Sequence, residues 1–435
     1  MSFRHFCPFL FFSLLLVASQ GFAGTIQELL PGLLESHERI KSAQDKIQAA
    51  EFLHKQSRAG YFPTLDFISE TGYEDIYKEN GPDTDYGDKT YNRLRAAQLL
   101  YDFGATSGSV DKSDNFLQQT TFEGDAIRQE VLLEGILACV AIIRERDRLS
   151  YAKRSEENIK KQTGIEETLV DKGAGLQSDV LQAKSQLAAA MALKTEIIGE
   201  LGIAKNRFQT VFARTISESA ITGLELTAKY RALVPDSLDN SIAMALEKNP
   251  MLKAEALNRN IADSEISSRK AAYYPRFELV GQGKYRNNDD GLPGERTDFF
   301  FGLGVTYNFY RGGGDQAAVE AAVSNRQSFS QLYEESIKLV LEEVRNSWVV
   351  LETAEAKQQI LSNQAMIAVQ FLELARKERK LGNRSLLEVL SAEVEYYRAM
   401  SNAVAAQAEA NGAIFTLLKA IGILEIDVLE QISRS

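Results

Sequence analysis

The stretch FFFGLGVTYNFYRGGG, Phe299 to Gly314, decides the fold. Phe299, Phe301, Leu303, Val305, Tyr307 and Phe309 fall on one face of an extended chain. Phe300, Gly302, Gly304, Thr306 and Asn308 fall on the other. Large apolar side chains outward and mostly small or polar ones inward suit a strand that faces lipid. A soluble sandwich strand has the same alternation, so the strand alone leaves both readings open. After the glycines the period changes. A helical pattern runs on to Leu381 with no proline, about 100 Å if unbroken.

Upstream, FELVGQGKYR (277–286) and the loop NNDDGLPGERTD (287–298) complete a hairpin over 276–310. An earlier hairpin over 65–103 has the same make-up: LDFISETGYEDIYKE, a turn-rich centre NGPDTDYGDKT, then YNRLRAAQLLYDF. The strand with Arg93 and Arg95 alternates poorly. Gly104 ends the first hairpin and Gly312, Gly313 and Gly314 the second, each easing the bend from tilted strand to steep helix. The triplet lacks the Lys-Ser/Thr of a phosphate loop.

The chain is a tandem repeat. Residues 37–67 match 249–279 at a constant offset of 212, with Lys41 on Lys253, Ala50 on Ala262 and Pro63 on Pro275. YDFGATSG at 101–108 matches YNFYRGGG at 307–314, and GAGLQSDVLQAK at 173–184 matches GNRSLLEVLSAE at 382–393. The first repeat spans 24–211, with a helical turn near Gly173; a linker covers 212–240; the second spans 241–424, turning near Gly382; a tail covers 425–435. Helix is expected from Ile26 to Gly60, until proline at 63.

The long helices carry a seven-residue repeat. Tyr333, Ile337, Val340, Val344, Ser347, Leu351, Ala354, Gln358, Leu361, Ala365, Ala368, Leu372 and Ala375 alternate spacings of four and three. Ile360, Ile367, Leu374 and Leu381 add a flanking stripe, and Leu390, Val394 and Tyr397 resume the pattern after the break. Many alanines allow close, two-sided contact, as in a wall of helices.

Composition narrows the rest. Arg4 and His5 precede the apolar run FCPFLFFSLLLVA, and Gly21-Phe22-Ala23 offers a cut, so residues 1–23 read as an export signal. Net charge is −11, and nothing forms a basic footprint for nucleic acid. Cys7 leaves with the signal and Cys139 sits alone in ILACVAII, so no disulfide framework exists. His5, His37 and His54 form no ligand cluster, and no convergent acids, bases and nucleophiles suggest an enzyme; no metal or cofactor is expected. One chain offers four strands, but open sheet edges are not tolerated in hydrocarbon. Barrels begin at about eight strands, so two, three or four copies must share one.

Over residues 25–424 the chain resembles the TolC-like outer membrane efflux proteins. The resemblance rests on the N-P-x-L and Y-x-P region at Asn249–Pro275 with its first-half counterpart, the strand-to-glycine junctions at 101–104 and 307–314, and the G-x-x-S-x-x-(D/E)-V-L-x-A signature at 382–392, echoed by DVLQA at 179–183. It implies a mixed α/β membrane protein. Each chain of a homotrimer would give four strands to a 12-stranded β-barrel, and long antiparallel coiled-coil helices would form an α-helical tunnel. Residues 212–240 and the tail would lie in an equatorial layer. The implied place is the outer membrane of a Gram-negative bacterium, reaching into the periplasm. The implied partners are outer membrane lipid, a periplasmic adaptor (membrane fusion) protein and an inner-membrane ABC or proton-driven transporter. The implied function is the exit channel of type I protein secretion, or else a multidrug or small-molecule efflux duct. The junction ending in Asp315 leans towards secretion. An exported structural or adhesive coiled coil would explain the heptads but not the duplicated hairpins.

Family members hold the periplasmic mouth shut through polar and charged contacts among the hairpin ends, and Arg384, Glu388 and Asp179 sit at matching positions. From the residues alone, Arg384 and Glu388 are an ordinary pair four apart on a helix, and Asp179 an acid at a helix start. The pattern also departs: Ser391 stands where some members have a second acid, and Arg379 where they can have tyrosine. Gly173, Gly175, Gly382 and Leu386 are the expected tip turns and adaptor-docking residues.

Overall fold

The computed structural model describes residues 26–76, 79, 84–85, 88–226 and 228–427. The expected signal, residues 1–23, and tail residues 428–435 lie outside them. Helix α1 (Ile26–Ser36) stops at His37, whose extended backbone and ring nitrogen, accepting from Arg39 N–H at 3.2 Å, start α2 (Glu38–Arg58). The single helix expected from Ile26 to Gly60 is therefore two, because His37 acts as an N-cap. Strand β1 (Thr64–Gly72), the short pair β2 (Asp75–Ile76) and β3 (Thr84–Asp85), and β4 (Lys89–Tyr101) form the first hairpin. Helices α3 (Ala105–Asp171) and α4 (Gln177–Phe212) follow, then α5 (Glu218–Gly223) and a 3-10 turn at 228–233. The second series is α6 (Leu238–Lys248), α7 (Pro250–Lys270), β5 (Arg276–Asp289), β6 (Leu292–Thr306), α8 (Gly314–Lys380) and α9 (Leu386–Ile421).

The two series match in length, element by element: 11, 21, 67 and 36 residues for the helices of each. Both begin their second helix at an N-cap, His37 and Asn249. Asn249 precedes a proline at the first helical position, where a missing N–H costs no hydrogen bond.

The sheet order is β1-β4-β5-β6, antiparallel throughout. Its register puts Leu65, Phe67, Leu94, Leu279, Phe299, Phe301, Leu303 and Val305 on one face. That face is bare: Phe299 is 86% exposed, Phe301 76% and Leu65 70%. The phenyl rings lie over glycines of the next strand, Phe299 against Gly283 and Phe301 against Gly281. Arg93 and Arg95 alternate with Leu94 and share the opposite face with Lys284, Gln282 and Phe300, which settles the strand that alternated poorly. One expectation shortens. The last strand ends at Thr306, so Tyr307 and Phe309 leave the ladder. Thr306 pairs with Arg276, the first residue of β5, and Pro275 before it has no N–H to give.

Among the described residues, packing divides the chain into two units, one within 26–31, 137–226 and 360–408, the other within 32–136, 228–359 and 409–427. On α8 every heptad position named above is buried or half-buried, whereas Ile360, Ile367, Leu374 and Leu381 are open to solvent. In the second unit, Phe415, Leu417, Leu418, Ala420 and Ile421 bury the end of α9. Its last carbonyls are met by buried side chains: Asn249 Nδ2 donates to Ala420 O (2.9 Å) and Gln129 Nε2 to Gly422 O (3.0 Å). Gly422 closes the helix at φ +87°, and a Cβ there would stand 2.6 Å from Asn249 Cα. Gly422→Ala therefore adds backbone strain and a backbone clash, and is expected to cost about 2 kcal/mol or more. Thermal unfolding of the purified protein reads this as a lowered midpoint; an unchanged midpoint would show that the α9–α7 junction adjusts freely.

Candidate functional site at the hairpin tips

Both hairpins of the first unit turn by the same device. At the first, Gly173 (φ +75°) donates to Val170 O and Ala174 to Leu169 O, each at 2.9 Å. At the second, Gly382 (φ +79°) donates to Arg379 O and Asn383 to Glu378 O, each at 3.0 Å. This paired closure satisfies the last helical carbonyls and requires a left-handed residue, which glycine takes without strain. Gly175 has another reason: a Cβ would fall 2.9 Å from Val170 Cγ2 and 3.0 Å from its backbone nitrogen. Gly104, Gly312 and Gly313 adopt positive φ (101°, 63° and 80°) at the strand-to-helix junctions, while Gly314 already begins α8.

The charges pair differently from the sequence expectation. Arg384 and Glu388 do not face each other on a helix, because α9 begins at Leu386. Arg384 Nε bonds Glu378 Oε2 at 2.8 Å, and its guanidinium lies 5.1 Å from the Phe371 ring. Glu388 instead closes a capping box. Ser385 N–H and Oγ–H donate to Glu388 Oε2 (3.0 and 2.9 Å), and Glu388 N–H donates to Ser385 Oγ (3.3 Å). The Ser385 N–H, its hydroxyl and the nearby Arg384 charge hold the Glu388 carboxyl below the usual carboxylate range. The S-x-x-E spacing at 385–388 was a readable signal that the pair reading passed over. Asp179, in the first turn of α4, meets the Ser178 hydroxyl at 3.4 Å.

Leu386 is not a surface residue. It is 5% exposed and packs with Ile159, Ala183, Ala190 and Leu390, since the first turn of α9 points its apolar side into the neighbouring hairpin. The apolar side chains that do stand free at the tips are Leu176 (65%) and Leu381 (76%).

Two buried carboxylates receive the arginines at the end of α8. Arg379 Nη2 reaches Glu166 Oε1 on α3 at 3.3 Å, and its Nη1 donates to Arg384 O. One turn earlier, Arg376 Nη2 donates to Glu393 Oε1 on α9 at 2.9 Å. Glu166 and Glu393 are nearly sealed from water, at 5% and 0% side-chain exposure. The last turns of α8 thus clasp the other hairpin with one arginine and their own partner helix with the next. Asn158 on α3 bonds both Glu393 and the Tyr397 hydroxyl. Arg379 stood out in the sequence only as a departure from a family pattern; Glu166, Arg376 and Glu393 carried no signal, since an acid on a heptad helix reads as solvated.

Burial pushes the Glu393 carboxyl above the usual range, against the pull of Arg376 and the Asn158 hydrogen bond, and its Oε2 has no partner. A raised folded pKa favours the native state below the unfolded pKa, and that contribution is lost as pH rises through the folded value. Glu393→Gln removes the titration. Its thermal midpoint relative to the native protein is expected to be higher at about pH 8 than at about pH 5. A difference that does not change with pH would show that Glu393 is not held in this state.

A family model described as outer membrane efflux protein matches the chain twice, over residues 29–212 and 241–423. The outer membrane efflux protein BepC of Brucella suis biovar 1 is 24% identical over 384 residues, covering 86% of this chain and 80% of that one. The alkaline protease secretion protein AprF of Pseudomonas aeruginosa is 22% identical over 416 residues, 92% of this chain and 85% of that one. Among solved structures, the outer membrane protein VceC of Vibrio cholerae superposes with a TM-score of 0.77 at 16% identity, covering 92% and 97% of the two chains.

Proposed function

Because this chain belongs to the outer membrane efflux protein family, whose members are exit ducts, we propose that it is the last component of a one-step, type I protein secretion system. Three copies close their sheets into one 12-stranded barrel, with the bare apolar face to lipid, and their helices line a passive tunnel. A periplasmic adaptor grips the tip turns at Gly173, Gly175 and Gly382, with Leu176 and Leu381 as its apolar contacts. An inner-membrane ABC transporter supplies the energy. The observation that carries the duct is the four-stranded sheet itself: apolar and exposed on one face, with a free edge on β1 and another on β6. Secretion of protein is supported by the likeness to AprF along 92% of the chain. The likeness to BepC, an efflux protein by name, favours a second reading, an efflux duct; its cargo would then be small molecules and its driver a proton-driven or ABC pump.

Deleting the gene separates the two. Loss of one or a few large proteins from the culture medium, with antibiotic susceptibility unchanged, is the expected result by mass spectrometry of the supernatant. Unchanged secretion with raised susceptibility would install the efflux reading instead.

The tips form the periplasmic mouth. Arg379 to Glu166 and Arg376 to Glu393 hold each chain's hairpins together, while Arg384, Glu388 and Asp179 face the opening. Three copies of Glu388, kept ionised by the Ser385 donors, favour cations there. Glu388→Gln is expected to lower the ratio of potassium to chloride permeability in planar bilayers. A ratio equal to that of the native channel would remove Glu388 from the mouth.

A further inference from the structure

The face of the sheet opposite Phe299 and Phe301 is charged, and its charges are unevenly matched. Near the helix end of the strands, Arg95 pairs with Glu278 at 3.3 Å, and Arg276 with the same carboxylate at 2.7 Å. Near the loop end, Lys89 pairs with Glu74 at 2.5 Å and Asp289 at 2.9 Å. Between these levels the pattern fails. Arg93 on β4 stands directly opposite Lys284 on β5, and Arg286 on β5 directly opposite Arg296 on β6. Like charges in directly opposed positions destabilise a sheet. Asp298, directly opposite Lys284 on β6, bonds Arg286 Nη2 and lies 3.9 Å from Arg296 Nε. Asp66 and Glu70 on β1 share this face, opposite Arg95 and Tyr91 and each diagonal to Arg93, but neither bonds it. Among the described residues Arg93 and Lys284 have no acceptor, and the Nε atoms of Arg286 and Arg296 are buried without a partner.

Taking the duct reading as its basis, we propose that Arg93, Lys284, Arg286 and Arg296 form a cationic collar inside the outer half of the barrel that binds multivalent oxyanions. The strand period places these side chains in the lumen, since the face they oppose is the lipid face. Three chains repeat the patch around the bore. Guanidinium groups at fixed spacing suit phosphate- or carboxylate-bearing cargo. The native repulsion in the sheet is relieved when such an anion enters. The level lies in the loop-proximal half of β4, β5 and β6, far along the strands from the helix junctions, so anions would meet it last on the way out.

The test uses purified oligomers in planar bilayers with tripolyphosphate as the probe. Added on the loop side, it is expected to reduce single-channel current in a voltage-dependent way, and R286Q/R296Q is expected to weaken the block about tenfold. R286K/R296K keeps the charge and is expected to keep most of the block. Lys284→Gln removes a cation whose facing carboxylate, Asp298, keeps its bond to Arg286, so it should weaken the block without lowering the thermal midpoint. Current unaffected by tripolyphosphate, or blocked equally in the native channel and R286Q/R296Q, overturns the collar while leaving the duct intact. Oligomers that carry no current at all overturn the duct, and the collar with it.

Discussion

A four-stranded sheet with one apolar face cannot satisfy its own edges in lipid. Among the described residues, the outer sides of β1 and β6 carry backbone donors and acceptors with no neighbouring strand, and hydrocarbon offers none. Every other large feature answers that constraint. Sharing the sheet among copies closes the edges, and it brings the helices that follow each hairpin into contact with those of the next copy. The exposed stripe of Ile360, Ile367 and Leu374 on α8, with Leu381 just past its end, supplies apolar surface for such contacts, next to a heptad seam already filled within the chain.

The duplication explains how so large a structure is specified with few local devices. Paired helices agree residue for residue in length, and the shift between halves is absorbed in the hairpins, 59–104 against 271–313. The same N-caps, three-residue 3-10 turns and glycine closures recur at matched places. The halves differ at their tips. The second tip has a capping box and two arginines that seize buried acids, whereas Leu176, which begins α4 at the first, makes no side-chain cap. A buried carboxylate gains little net stability from its partner, but losing that partner is costly.

Charge is distributed by level rather than by total. The chain carries −11 overall, yet the inner face of the sheet has a stretch where cations outnumber their carboxylates. Net charge constrains solubility and partners in bulk; the local surplus concerns whatever passes through the bore.

The sequence by itself determined the alternating strands, the duplication, the heptad seams and the glycine turns. Each is written in periodicity or in a residue's own backbone preference: Val344 or Leu372 declares its burial by spacing, and Gly382 its left-handed turn by having no Cβ. Only the tertiary structure decided which charges meet. Arg379 finds Glu166 across 213 positions, and Arg384 turns back to Glu378 instead of forward to Glu388. It also decided that Leu386 is core while Leu176 and Leu381 stand free, and that Arg93 shares a face with Lys284. An ion pair or a register depends on two segments that come together only on folding, and neither segment records its partner locally.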